Sequence, residues 1–237
     1  MNDFKLFSNK VFKEYSIFLD EKALDRLEKY ARLLILWNEK MNLTAITDIQ
    51  EIIIKHFLDS LTILSCVDAS KDAKVIDVGT GAGFPGMPLK IARPDIKLTL
   101  LDSLNKRLIF LRELLNELEL DAELIHSRAE EAAQNKKYRE KFDIAVSRAV
   151  APLNVLSEYC IPFVKIGGAF VAQKGPGLDI ELENAKTAIN ILGGKIEKVD
   201  SFSLPGENAR SVLVIKKVGV TPDKYPRYGS KISKKAL

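Results

Sequence analysis

Cysteine and histidine are scarce in this 237-residue chain, and their scarcity removes whole classes of chemistry. The two cysteines, Cys66 and Cys160, stand far apart with no CxxC pair, and the two histidines, His56 and His126, are equally isolated. Neither a disulfide framework nor a zinc site is expected from such spacing, and no metal is assigned. Long apolar runs are missing too: LLILW, residues 33 to 37, is far too short to cross a bilayer. The N-terminal MNDFKLFSNK has no continuous apolar stretch of the signal-peptide kind, so the expectation is a cytoplasmic protein without membrane contact. Excess charge is absent from most of the chain. From Gly219 onward, Lys224, Arg227, Lys231, Lys234 and Lys235 face Asp223 alone, so this tail carries the entire net charge of +4.

What is present falls into three stretches. Residues 1–65 read as a helical segment. Asp20 can cap a helix whose Leu24, Leu27, Ala31 and Leu34 share one face, and Asp48 with Glu51 begins another in the manner of a capping box. MNLTAITD between them reads as a turn. Residues 66–218 change rhythm to short apolar strands alternating with helices: 74–78, 97–102, 122–126, 142–147 and 168–173, then 195–204 and 211–218 around the turn LPGENAR. Alternation of this kind predicts a parallel sheet covered on both faces, and the short final gap predicts an antiparallel last pair. The fold class expected is α/β, a Rossmann-like sheet of seven mostly parallel strands with an antiparallel last strand, preceded by a helical segment. That is the layout of class I S-adenosylmethionine-dependent methyltransferases. Residues 219–237 form the basic tail.

The stretch VIDVGTGAGFPGMP, residues 75–88, crowds glycines behind the first strand. As a dinucleotide GxGxxG motif it fits poorly: Gly81, Gly83 and Gly86 begin too late, and from Gly79 and Gly81 the third position is Phe84. Asp77, Gly79, Gly81 and Gly83 instead spell DxGxGxG. An acid at the strand end can meet an ammonium group directly or through water, while glycines admit a carboxylate and a ribose. S-adenosylmethionine offers that set of groups. Asp102 ends the second strand, where a carboxylate can accept from both ribose hydroxyls. After the third strand, HSRAEE places Ala129 and Glu130 beside the adenine position.

The fourth strand ends in SRAVAP, Ser147 to Pro152, where the reacting atom is expected. It has no N/D-P-P-Y/F motif for exocyclic amines. Neither cysteine follows a proline as a pyrimidine nucleophile often does, and Arg148 stands where a ribose 2′-O enzyme wants an aspartate. An acceptor already nucleophilic without deprotonation remains, such as guanine N7, which needs positioning rather than a general base. Arg148 could donate to guanine O6, to a phosphate or to the methionine carboxylate. Lys174, ending the fifth strand, could meet a phosphate. In the tail, Lys224, Tyr225, Arg227, Tyr228 and Lys231 combine charges for phosphates with rings that stack on unpaired bases, which suits RNA rather than DNA.

The segments WNEKMNLTAITD, KHFLDSL, DVGTGAGFPGMPLKI, LLDSLNKRLIFL, SRAEE, SRAVAPL and the closing YPR run through nearly the whole chain. Together they resemble the RsmG family, also called glucose-inhibited division protein B, whose members methylate guanine N7 in 16S ribosomal RNA. The resemblance implies S-adenosylmethionine as donor and 16S rRNA or the small ribosomal subunit as acceptor. It further implies that Gly79 and Phe84 line the donor site, that Ala129 and Glu130 meet the adenosine, and that Arg148 lies at the active site. His56 and Asp59, three residues apart on one helix face, belong to a family signature without a role derivable from the sequence. They are expected to be a satisfied polar pair between the helical part and the sheet. The chain is expected to act as a monomer. A methyltransferase for a small molecule or a protein would keep the donor loop without needing the tail. A non-catalytic RNA-binding assembly protein would keep the tail without needing the loop.

Overall fold

A computed structural model describes residues 3–148 and 150–237; Met1 and Asn2, and Ala149 within SRAVAP, lie outside the described residues. Helix α1 (Asp3–Glu14) leads into α2 (Glu21–Met41), which starts where the Asp20 carboxylate accepts from the Ala23 amide at 2.7 Å. Helix α2 ends at Asn42, whose left-handed conformation (φ 48°) lets its own amide close on the Asn38 carbonyl. Leu24, Leu27, Ala31 and Leu34 form the buried stripe, as their spacing predicts.

After the loop that carries Thr44, helix α3 (Ile49–Ile52) begins at Asp48, which accepts from the Glu51 amide at 2.9 Å. The second half of a capping box does not form, because the Glu51 side chain pairs with Lys55 at 2.6 Å. The chain then widens into a π-helical stretch (Ile53–Leu58), returns to helix α4 (Asp59–Leu61) and tightens into a 3-10 turn (Thr62–Ser65). A π-helical turn is rare and frequently marks a functional site.

The sheet consists of β1 (Lys74–Val78), β2 (Lys97–Asp102), β3 (Glu123–His126), β4 (Phe142–Arg148), β5 (Val164–Lys174), β6 (Gly194–Leu204) and β7 (Asn208–Lys217). Its order is β3-β2-β1-β4-β5-β7-β6, with β1 to β5 parallel and β7 antiparallel to both β5 and β6. Two strands start earlier than their apolar runs suggest. Strand β5 begins at Val164, which pairs with Phe142 before a register shift, and β7 begins at Asn208, opposite Leu204, because the hairpin ladder extends to the turn. Strand order reverses between β1 and β4, which opens a crevice at their carboxyl ends.

Helices α5 (Gly86–Ala92) and α6 (Asn105–Leu118) cover one face of the sheet, and α8 (Leu153–Cys160) and α9 (Leu178–Ile191) the other; α7 (Ala129–Gln134) follows β3. The N-terminal helices share one core with the first face: Leu27, Tyr30 and Phe57 are in the same buried cluster as Phe84, Phe110 and Val75. Burial of these side chains, each contributing about 1.5–3 kcal/mol, holds the helices of residues 3–65 against the sheet.

Two of the tail residues expected to face RNA, Tyr225 and Arg227, turn inward. Tyr225 is buried in the second core cluster, and Arg227 clamps the fully buried Glu158, with Nη2 to Oε2 at 2.6 Å and Nε to Oε1 at 2.9 Å. Arg139 holds the Thr221 and Tyr225 carbonyls at 2.9 and 2.7 Å. Tyr225 is therefore a packing residue, because a ring in the core cannot stack on a base, and Arg227 commits its Nε and Nη2 groups to a buried carboxylate. Helix α10 (Gly229–Lys234) closes the chain, leaving Lys224, Tyr228 and Lys231 exposed. No helix among the described residues is long and apolar enough to cross a membrane.

Candidate active site

The glycine loop is built around Asp77. One oxygen of this fully buried carboxylate accepts from Thr80 Oγ1 at 2.7 Å and from the Gly86 amide at 2.8 Å, tying strand end to helix start. Its other oxygen has no hydrogen-bond partner among the described residues. Burial pushes the Asp77 carboxyl up to about 6, against the pull of those two hydrogen bonds. Asp77 thus shapes the loop from beneath and does not line the cleft above it. Gly79 and Gly83 both adopt positive φ, 72° and 99°, and a side chain at either would collide with Val150 or with Tyr30, Met87 and Leu111 respectively. Gly83 accordingly faces the core, whereas Gly79, Gly81 and Phe84 line the cleft.

Asp102, also buried, faces the cleft from the end of β2. It accepts from the Leu104 amide at 2.9 Å and from the Gly81 amide at 2.9 Å, so the acid fixes the loop whose glycines open the cleft. Arg107 reaches the same carboxylate at 3.2 Å from the first turns of α6. Ala129 is the first residue of α7, so its amide lacks an intrahelical acceptor. Glu130 stands at the cleft edge, against Gly229 of the tail.

Arg148, at the end of β4, is held from the opposite side. Its Nη1 donates to the Lys55 carbonyl at 3.1 Å and to Asp59 Oδ2 at 2.9 Å, and its Nη2 lies 3.3 Å from His56 Nδ1. The π-helical stretch and the start of α4 supply all three partners. The guanidinium also lies 5.0 Å above the Phe84 ring, which is stacked between His56 (4.5 Å) and Tyr30 (5.2 Å). Arginine has only donors, so His56 Nδ1 must accept, and the ring proton sits on Nε2, 2.8 Å from Thr44 Oγ1. Burial, then the neighbouring Arg148 charge, lower the His56 pKa to about 3, so the imidazole stays neutral.

Lys174, by contrast, is withdrawn from the cleft. Its ammonium pairs with Glu181 at 2.6 Å and donates to the Ala151 carbonyl at 2.9 Å, so it holds the end of SRAVAP rather than meeting a phosphate. His56 and Asp59, expected as a satisfied polar pair, meet through Arg148, which bonds each of them, while Asp59 Oδ1 has no hydrogen-bond partner among the described residues. Thr44 and Arg107 have no sequence signal of their own: one lies in an unpatterned turn, the other inside a leucine-rich helix.

The cleft between these groups has a volume of about 520 Å³ and is bounded by Thr44, His56, Phe84, Asp102, Ala129 and Arg148. Its chemistry suits S-adenosylmethionine: a carboxylate at the ribose position, a free backbone amide at the base position, and open space over Gly81, where a side chain would touch nothing. Fold and cleft together define a class I S-adenosylmethionine-dependent methyltransferase. Among solved structures, the fold is similar to a precorrin-6y C5,15-methyltransferase from Geobacter metallireducens (TM-score 0.51, 17% identity, 67% of this chain and 87% of that one). It is also similar to an S-adenosylmethionine-dependent O-methyltransferase from Thermotoga maritima (TM-score 0.53, 16% identity, 78% and 71%). The chain belongs to the GidB family, described as rRNA small subunit methyltransferase G, whose model matches residues 23–212. Proteins named ribosomal RNA small subunit methyltransferase G from Alkaliphilus metalliredigens and Acetivibrio thermocellus are 51% and 52% identical to it. The alignments cover 95% of both chains in the first case, and 94% of this chain and 92% of its relative in the second.

Proposed function

We propose that this enzyme methylates N7 of a guanine in 16S rRNA of the small ribosomal subunit, acting as a cytoplasmic monomer. The observation that carries the reading is the state of His56. It is the histidine nearest Arg148, it is neutral, and both ring nitrogens are engaged, so it has no free lone pair with which to take a proton from an acceptor. An acceptor that must be deprotonated finds no free histidine base at the end of β4 among the described residues, whereas guanine N7 attacks with an in-plane lone pair and leaves no proton to remove.

S-adenosylmethionine, when bound, supplies the electrophilic methyl group. Asp102 would hold its ribose hydroxyls, and the Ala129 amide and the Glu130 edge would hold its adenine. Gly79 and Gly81 leave the room it needs, with Asp77 keeping the loop in shape from below. Arg148, pinned by Asp59 and the Lys55 carbonyl, keeps its remaining N–H groups for the acceptor side. Those donors are preorganised and half-sheltered, which makes them effective for orienting a base or a phosphate. Lys224, Lys231 and the exposed ring of Tyr228 form the surface along which RNA would approach, with Tyr225 and Arg227 supporting it from within.

Labelled S-adenosylmethionine, offered separately with small subunits, free rRNA and a metabolite mixture, tests the reading. Label recovered as 7-methylguanosine from digested 16S rRNA is the expected result. Label only in small molecules, or on another position of the base, would overturn it.

A further inference from the structure

Thr44 lines the cleft from the loop between α2 and α3, and its hydroxyl oxygen is bonded on two sides. The Ile46 amide reaches it at 3.0 Å, and His56 Nε2 at 2.8 Å. The direction of the second bond follows from the contact behind it: Arg148 has only donors, so its 3.3 Å contact with His56 Nδ1 favours the tautomer whose proton is on Nε2, against the nearby Lys55 carbonyl, and in that tautomer Thr44 Oγ1 accepts. A hydroxyl oxygen has two lone pairs and one hydrogen. Both acceptor positions are filled, and the hydrogen has no partner among the described residues. A threonine is ordinarily ambivalent, but this one is locked as a donor.

That lock has a consequence for base selection, which rests on the guanine-N7 reading given above. On the edge that carries N7, guanine presents a second acceptor, O6, whereas adenine presents the N6 amino donor. A free hydroxyl could turn to suit either base. A hydroxyl with filled lone pairs can meet O6 but cannot accept from N6, so it favours guanine and leaves the adenine amine unpaired.

We infer that Thr44 is a specificity-determining residue: its hydroxyl, fixed as a donor by the Arg148–His56 relay, hydrogen-bonds guanine O6 beside the reacting N7. Thr44 lines the cleft on the His56 side, bonded to the ring that stacks on Phe84 and touches Arg148, which suits the acceptor rather than the ribose or adenine held by Asp102 and Ala129.

The test uses small subunits carrying, at the mapped target, either guanine or 2-aminopurine, which keeps the N7 lone pair and lacks O6. The wild-type enzyme should lose about tenfold or more in kcat/KM on 2-aminopurine, the scale of one hydrogen bond plus an unpaired partner. Thr44→Val should lose a similar factor on guanine and discriminate between the two bases by no more than about threefold, while Thr44→Ser restores discrimination. Affinity for S-adenosylmethionine, measured by calorimetry, should stay within about threefold in both variants, since a single neutral hydrogen bond to the donor would show as more. Nitrogen-15 spectra of the unliganded wild-type protein should show His56 protonated at Nε2 and bare at Nδ1. Undiminished base discrimination in Thr44→Val, an equal loss of donor affinity, or a proton on Nδ1 would each overturn the inference. Mapping the methyl in wild-type product keeps the two failures apart: a methyl away from guanine N7 sinks the functional reading, whereas a methyl on N7 with unchanged discrimination sinks only the role of Thr44.

Discussion

Arg148 and Asp59 meet at 2.9 Å across the seam between the N-terminal helices and the fourth strand, and that salt bridge ties the active site to the helical segment. Asp59 is almost wholly buried, and Arg210 of β7 approaches its second oxygen at 3.4 Å, so one carboxylate balances two guanidinium groups. Its backbone carbonyl also accepts from Gln173, the neighbour of Arg148 across the sheet.

Removing that carboxylate should therefore cost both stability and activity. Asp59→Ala leaves buried arginine charge uncompensated, a loss of about 3–5 kcal/mol in the free energy of unfolding. Methyl transfer should fall as well, because Arg148 loses its strongest anchor. Urea unfolding of Asp59→Ala, Arg148→Ala and the double variant completes a cycle in which the two residues should couple by about 0.5–3 kcal/mol. Strict additivity would mean that the salt bridge is energetically idle.

Asp102 supplies a second prediction, on the donor side. Its oxygens already accept from the Gly81 and Leu104 amides, and Arg107 shares one of them, so it is held in place before any ligand arrives. Asp102→Ala should weaken S-adenosylmethionine binding by about 1.5–3 kcal/mol, the scale of hydrogen bonds to a charged group. Calorimetry showing unchanged donor affinity would remove Asp102 from the ribose site.

Asp77 and His56 oppose each other in pH dependence. The folded-state pKa of Asp77 is raised from 3.8 to about 6. Its stabilising contribution is therefore complete below about pH 4 and is lost as pH rises through 6. His56 is lowered from 6.5 to about 3, so its contribution is present above pH 6.5 and drains away as pH falls toward 3. Between pH 4 and 6 the two slopes, each about 1.4 kcal/mol per pH unit, largely cancel. Asp77→Asn removes one of them. The variant should lose stability on acidification more steeply than the wild type, with a gap that changes by up to about 3 kcal/mol between pH 7 and pH 4. Urea midpoints with the same gap at both ends of that range would be incompatible with a strongly perturbed Asp77.

The contrast between Asp77 and Lys174 explains how much of this molecule is legible before folding. Both stand at strand ends and both carry a charge that suits a ligand. Hydrophobic periodicity places them at the carboxyl edge of the sheet, and strands β1 and β2 match their apolar runs residue for residue. Periodicity says nothing of which way a charged end turns. Lys174 is drawn off by Glu181, seven residues on, and Asp77 by Thr80 and the Gly86 amide. The cluster around Arg148 is visible in the sequence only as scattered motifs, since Lys55, His56 and Asp59 reach it from about ninety residues away along the chain. The tail misleads for a related reason. Its charge count is correct, but Glu158, which is buried on α8 and claims Arg227, has no mark that distinguishes it from any surface glutamate.

Two kinds of cation therefore share one short segment of the tail. Arg227 neutralises a buried carboxylate, so Arg227→Ala should destabilise the fold by about 3–5 kcal/mol, the cost of stranding a buried charge. Lys224 and Lys231 are exposed and pair with no carboxylate among the described residues, so replacing both with alanine should leave the melting temperature nearly unchanged. If they meet phosphates of unpaired RNA, the double variant should reduce the salt dependence of RNA binding by a slope of roughly 0.7 for each phosphate no longer neutralised. Deleting residues 219–237 cannot make this distinction, because the deletion also removes Thr221 and Tyr225, which anchor Lys217 and Arg139. Binding titrations across a range of salt concentrations, run on the double lysine variant, measure the slope directly. A slope equal to that of the wild type would confine the tail to holding α8 and α7 in place.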